Sequence, residues 1–279
     1  MEQNSDSTKQ VKVGNKKKRG IIIQTEDRMN FYTVIIGTEL LNGRREDMHF
    51  PVVNAALLKR GWEHKGNFVI SDDPAFMEDI FRLIKKDESS VMFCFGGIGA
   101  TPDDYTRQVA ARVFTEGELE IHPEGRRILE EKFEDQLTDR RIQLVNFPKG
   151  AGLLTNVVNR VPGFYLDERF FFVPGFPQMA HPMVIEALER FYPKGKEKFR
   201  QSILIGTSEG HLLGLMDQIP ATLEFSSLPS IHDDRREVEI SFASPDREEV
   251  VEWIGRFEAE ARARGYTYEK LEMIQGGTL

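Results

Sequence analysis

The residues best suited to chemistry lie in one stretch: Gly96-Gly97-Ile98-Gly99-Ala100-Thr101-Pro102-Asp103-Asp104-Tyr105-Thr106. Glycines let successive backbone N–H groups turn toward one point and approach an anion closely. A helix starting near Pro102 adds its positive end, with Thr101 as cap and Asp103 and Asp104 as an acidic first turn. Two carboxylates beside an anion pocket repel the anion unless a cation intervenes. Mg²⁺ held by one or two carboxylates plus phosphate oxygens resolves that conflict, so the stretch suggests phosphate, metal and acid together. The stretch is not a dinucleotide fingerprint, because Pro102 stands where the third glycine belongs, and no Gly-Lys-Ser/Thr follows to make a Walker loop.

Other chemical patterns are weaker. Gly206-Thr207-Ser208-Glu209-Gly210 matches the nucleophile elbow Gly-x-Ser-x-Gly, with Asp217 and His232 as nominal partners. Too little chain follows Ser208 to build the rest of a hydrolase sheet. The histidines at 49, 64, 122, 181, 211 and 232 show no metal-ligand spacing with one another or with Cys94. Cys94 sits in an apolar run and reads as a buried small hydrophobe. His49 reads as a surface or half-buried residue, and Arg44, Arg45 and Arg107 as surface charges. The Phe170-Phe171-Phe172 run reads as strand core.

The elements that must position the glycine stretch alternate in type. Strands are expected at Phe31–Ile36, Phe68–Ile70, Val91–Phe95 and Phe170–Val173. Helices are expected at Val52–Lys59, from Asp72-Asp73-Pro74 onward with Phe76, Ile80, Leu83 and Ile84 as its stripe, at Thr106–Phe114 and at Glu124–Gln136. A last stripe runs through Met179, Met183, Ala187 and Phe191. Such alternation implies βαβ units: a three-layer α/β/α domain with a mostly parallel sheet over 29–195. Parallel sheets bind ligands at strand carboxyl ends. Four loops fall there: Gly37-Thr38-Glu39, Ser71-Asp72-Asp73, Gly96 through Thr106, and Pro174-Gly175-Phe176-Pro177. Tyr192-Pro193-Lys194-Gly195 reads as a linker to a small open α/β sandwich over 196–279, with strands Ser202–Ile205 and Glu237–Phe242 and helices Leu212–Gln218 and Asp246–Arg264.

Composition bounds the partners. The chain has 279 residues, 40 % hydrophobic and 29 % charged, with net charge −8, which argues against a nucleic-acid backbone as partner. One cysteine excludes an internal disulfide. No run is long and apolar enough for a membrane helix and no secretory signal is evident, so a cytoplasmic location and no membrane partner are expected. Residues 1–28, with the basic run Lys16–Arg19, read as a disordered, solvated tail; Met29 is an alternative start.

Gly96-Gly97-Ile98-Gly99 followed by Asp103-Asp104-Tyr105-Thr106 resembles the signature of the molybdopterin-binding (MoCF-type) domain family. Gly37-Thr38-Glu39-Leu40-Leu41-Asn42-Gly43-Arg44 resembles the first-strand motif of its CinA-like (competence/damage-inducible protein A) branch. Val69-Ile70-Ser71-Asp72-Asp73, Gly152-Leu153-Leu154-Thr155-Asn156 and Phe172-Val173-Pro174-Gly175-Phe176-Pro177 resemble further ordered family elements. Gly206–Leu212 resembles the turn that opens the small second domain of CinA-like proteins. Two positions depart from the pattern: Ala100-Thr101 replaces Pro-Thr, and Asp47-Met48-His49-Phe50 replaces Asp-Thr-Asn. The C-terminal amidase domain of full-length CinA-like proteins has no counterpart here, so nicotinamide mononucleotide deamidation is not expected.

The resemblance implies catalytic roles for Asp72 and Asp104, with Mg²⁺ on Asp104. It implies that Gly37, Thr38, Glu39, Ser71, Gly96, Gly97, Ile98, Gly99, Thr101, Asp103, Thr106, Pro174 and Gly175 surround a phosphorylated pterin or nucleotide, molybdopterin or ATP. Three functions follow as expectations. They are molybdopterin binding or adenylyl transfer in molybdenum cofactor biosynthesis, pyrophosphohydrolysis of ADP-ribose or FAD-type substrates, and non-catalytic binding of a ligand or partner. A homo-oligomer, dimer or trimer, is also implied.

Overall fold

A computed structural model describes residues 29–195, 197–232 and 235–275; the expected tail at 1–28 lies outside them. In chain order the elements are β1 (Asn30–Ile36), α1 (Thr38–Leu41), α2 (Phe50–Leu58), β2 (His64–Ile70), α3 (Pro74–Lys85), β3 (Ser90–Phe95) and α4 (Thr106–Phe114). They continue with β4 (Leu119–Ile121), α5 (Pro123–Phe133), α6 (Asp139–Ile142), β5 (Asn146–Pro148), β6 (Gly152–Leu154), β7 (Gly163–Leu166), β8 (Phe170–Val173) and α7 (Pro177–Phe191). The last are β9 (Phe199–Ile205), α8 (Leu213–Met216), β10 (Glu224–His232), β11 (Arg235–Ser244), α9 (Arg247–Ala263), β12 (Tyr268–Lys270) and β13 (Ile274–Gln275).

The first six-stranded sheet has the order β2-β1-β3-β8-β7-β6. β2, β1, β3 and β8 run parallel, whereas β7 pairs antiparallel with both β8 and β6. Both faces are covered, so the central strands are apolar at nearly every position. All six residues of β3 are buried, Cys94 among them. Alternation sends Val34, Ile36, Met92, Cys94, Phe170 and Phe172 to one cluster, packed by α3, α4 and α5. It sends Phe31, Ile35, Phe93, Phe95, Phe171 and Val173 to the other, packed by α2 and α7. That is the expected three-layer α/β/α architecture.

The second sheet has the order β10-β11-β9-β12, antiparallel throughout, with β13 also on β9. Val238, Ile240 and Phe242 of β11 alternate onto one face, where Val250, Trp253, Ile254 and Phe257 of α9 close the core. Asp246 caps α9 by accepting from the Glu248 N–H, as its position ahead of the apolar stripe suggests.

Several expectations need correction. The α3 stripe is one residue out of phase: Phe76 and Leu83 are exposed, and Met77 and Phe81 are buried beside Ile80 and Ile84. Proline at the first turn and the Asp73 cap set the phase of α3, and the neighbouring sheet selects its buried face. In α7 the buried stripe is Ala180, Met183, Val184, Ala187 and Leu188, rather than one running from Met179 to Phe191. The short strands β4 to β7 and the edge strand β10 lack a periodic apolar signature of useful length; their partners define them.

Candidate functional site

The crossover through α2 covers one face and the crossover through α3 the other. The chain leaves neighbouring β1 and β3 toward opposite faces, which opens a crevice between their carboxyl ends. Ligands of open α/β sheets lie at such a switch point. The loops after β1, β2, β3 and β8 all reach this edge, because those four strands are adjacent and parallel.

The four loops are bonded in two pairs. The Gly37 N–H donates to the Ile70 carbonyl at 3.0 Å. The Thr38 N–H and hydroxyl both donate to Asp72 Oδ2, at 2.9 and 2.8 Å. The Gly96 N–H donates to the Val173 carbonyl at 3.0 Å, and a Cβ on Gly175 would lie 3.5 Å from Gly96 Cα. Gly96 has φ +96°, and a Cβ there would meet the Ile36 carbonyl oxygen at 2.7 Å. Gly97 has φ +66°, and a Cβ there would collide with the Thr106 hydroxyl. At Gly96 another residue type would need backbone movement, and at Gly97 the buried Thr106 side chain would have to give way in a left-handed turn.

The helix after the glycine turn has the expected bounds, Thr106–Phe114, and does not start near Pro102. It begins at Thr106 with Tyr105 as its N-cap, so Thr101 does not cap it and Asp103 and Asp104 lie before it. Thr101 and Asp104 form their own turn instead: the Thr101 N–H and hydroxyl donate to Asp104 Oδ2, at 2.7 and 2.5 Å. A side chain that reaches back to the backbone three residues earlier closes a local turn of its own ahead of the helix. A Cβ on Gly99 would meet Asp104 Oδ2 at 2.6 Å, so the carboxylate lies over the glycine backbone. Thr106 is fully buried and donates to the Gly96 carbonyl at 2.9 Å, while Ile98 turns its side chain into the core. Asp103 is exposed; Glu39, Ser71 and Pro174 are half-buried at the same edge.

The turn keeps donors in reserve. Among the described residues, the N–H groups of Gly97, Ile98 and Gly99 donate to no protein acceptor. Oδ1 of Asp72 and Oδ1 of Asp104 likewise accept no hydrogen bond there. The edge thus offers a run of unpaired donors and two carboxylate oxygens, which fits an anion accompanied by a cation.

Two residues read as surface groups are buried. Arg107 is 5 % exposed and donates to the Ile98 carbonyl beneath the turn. Burial lowers its pKa, and Asp104 opposes that shift. His49 is also 5 % exposed, stacked 4.3 Å from the Phe95 ring. It lines a cleft of about 380 Å³ whose floor is Ile35, Ile36 and Phe95. Glu39 and Leu40 wall one side, the 45–49 segment another, and Gly175 and Pro177 the third. Burial lowers the His49 pKa, as does His181, against the pull of Asp47. Sequence spacing had no means to show this cleft, because residues 45–49 and 175–181 meet only across the sheet edge.

The Gly206–Gly210 turn lacks an elbow's features. Ser208 is an unstrained extended residue at φ −85°, and the imidazole of His211 meets the Thr207 hydroxyl at 2.9 Å rather than Ser208. Among the described residues, no helix is long and apolar enough to cross a membrane.

A doubly wound α/β domain with a glycine turn at its switch point is thus the class that this architecture defines. Residues 32–194 match the family described as "Probable molybdopterin binding domain", and the chain belongs to that family. A protein of Caldivirga maquilingensis is 27 % identical over 241 residues, covering 80 % of this chain and 91 % of that one. A CinA-like protein of Sulfurihydrogenibium is 26 % identical over 187 residues, covering 61 % of this chain. The match spans 44 % of that relative, so the chain corresponds to under half of its length. Among solved structures, CinA of Thermoplasma acidophilum shares the fold, at TM-score 0.51 and 24 % identity over 58 % of this chain and 97 % of that one.

Proposed function

We propose that the crevice binds a phosphorylated pterin or nucleotide, its phosphate on the unpaired N–H groups of Gly97, Ile98 and Gly99. Those three donors are the observation that carries the reading. Gly37, Thr38, Glu39, Ser71, Thr101, Asp103, Pro174 and Gly175 are proposed to surround the ligand, with Ile98 and Thr106 contributing through the shape they give the turn. Membership of a molybdopterin-binding domain family makes molybdopterin the first ligand to test, in a role linked to molybdenum cofactor biosynthesis. Asp104 Oδ1 would hold Mg²⁺, which would offset charge between phosphate and carboxylate, and Asp72 would assist from the β2 loop. Catalysis at such a site rests on positioning and charge neutralisation.

A second reading is pyrophosphohydrolysis of ADP-ribose or FAD-type substrates, favoured by the match to a CinA-like relative. A crevice that binds without catalysis is the third. The test incubates the protein with Mg-ATP and molybdopterin, then with ADP-ribose. Pyrophosphate release supports adenylyl transfer, AMP release from ADP-ribose supports hydrolysis, and saturable binding without either leaves a binding module. Asp104→Ala should abolish whichever activity appears. Failure of molybdopterin, ATP and ADP-ribose all to bind would overturn the proposal. A cytoplasmic location and a homo-oligomer, dimer or trimer, belong to the same reading; sedimentation measures the latter.

A further inference from the structure

His49 and His181 are 132 residues apart in sequence, yet Nδ1 of one lies 3.3 Å from Nε2 of the other, with the rings at 87°. The remaining nitrogen of His49, Nε2, lies 3.3 Å from the Gly175 carbonyl oxygen. A carbonyl can only accept, so Nε2 carries the hydrogen and Nδ1 turns its lone pair toward His181. A tetrahedral ion bonded to two imidazoles at about 2.0–2.1 Å sets the two nitrogens roughly 3.3–3.4 Å apart. A backbone carbonyl behind the second nitrogen is also what a ligating imidazole generally has.

The surroundings favour a cation. Glu39, Glu46 and Asp47 line the same cleft, opposed there by Arg45. Asp47 is held beside the pair, accepting from the His49 N–H at 2.7 Å and the Phe50 N–H at 3.2 Å. Among the described residues, no three His, Cys, Asp or Glu side chains are grouped to hold a metal, so an ion here would have two protein ligands and open positions.

We propose that His49 and His181 form a two-imidazole site for a transition-metal cation of the Zn²⁺ or Co²⁺ class, its open positions facing the cleft. Imidazole donors suit these ions and not Mg²⁺, which prefers oxygen. The two imidazoles are other residues than Asp104, though Glu39 and Gly175 border both the cleft and the ligand site proposed above.

The experiment uses the full chain, stripped with a chelator and titrated at pH 7.5 with Co²⁺ alone, then Zn²⁺ alone. The expected result is saturation near one equivalent, visible Co²⁺ absorption of low coordination number, and displacement by Zn²⁺ but not by excess Mg²⁺. His49→Asn and His181→Gln should each weaken binding by at least about tenfold. Circular dichroism shows whether each variant folds. Should one fail, Co²⁺-shifted imidazole proton signals from two histidines in the wild type serve instead. No saturable Co²⁺ binding, unchanged binding in folded variants, or no shifted imidazole signals would show a plain hydrogen-bonded pair and end the proposal.

Discussion

His64 opens β2 with Nδ1 at 3.0 Å from Asn54 Oδ1, while its Nε2 is buried without a partner. Protonating Nε2 would bury a donor that nothing accepts, and burial pushes the pKa down to about 4 from 6.5. The unfolded chain binds the proton near its ordinary pKa and the folded chain only near 4. Stability from the neutral ring is therefore complete above pH about 6.5 and is lost as pH falls toward 4. Allowing for partial exposure, the effect is roughly 2–3 kcal/mol. Urea unfolding at pH 7 and pH 4.5 should show the wild type losing about that much more than His64→Gln. Equal losses would remove His64 as the cause.

Among the elements, the turn between β3 and α4 is the most constrained by geometry. Gly97→Ala puts a Cβ against Thr106 at φ +66°. We expect a loss of about 2 kcal/mol or more, together with loss of whatever ligand binding the wild type shows. Gly43 has a similar φ of +74° but nothing within 4 Å, so Gly43→Ala should cost only about 1 kcal/mol and spare binding. The α3 cap offers a second measure. Asp73 Oδ1 accepts from the Ala75 N–H at 2.9 Å, and Asp73→Ala should cost about 1 kcal/mol in denaturant unfolding. Neighbouring Asp72 makes no such bond and points its acceptor at Thr38, so Asp72→Ala should leave α3 intact.

Across the whole molecule, Lys198 joins the two sheets. It donates to Glu63, just before β2, and to Glu224 of β10, each at 2.7 Å. Burial alone would lower the Lys198 pKa, but the bonds to Glu224 and Glu63 outweigh it and raise the value. A double-mutant cycle of Lys198→Met and Glu63→Gln should give about 0.5–1.5 kcal/mol of coupling, shrinking in 1 M NaCl. Strict additivity would mean that the pair does not link the sheets energetically.

Periodicity and turn chemistry made much of this architecture legible from the chain. Strands β1, β3 and β8 are runs of apolar and β-branched or aromatic residues because they are buried on both faces. Asp73-Pro74 and Asp246 mark helix starts because a cap acts on its own next few residues. The glycine turn was visible because positive φ restricts residue type locally. The bounds of α4 were legible, but Thr101 does not cap it, because Thr101 and Asp104 satisfy each other before the helix begins. Arg107, His49 and His181 carried no signal, since a polar side chain is buried or exposed according to what the rest of the chain lays over it. Local constraints are written in the sequence of the segment that obeys them. The cleft joins residues 35 to 177, with His181 against its His49, and only tertiary packing could decide what faces it.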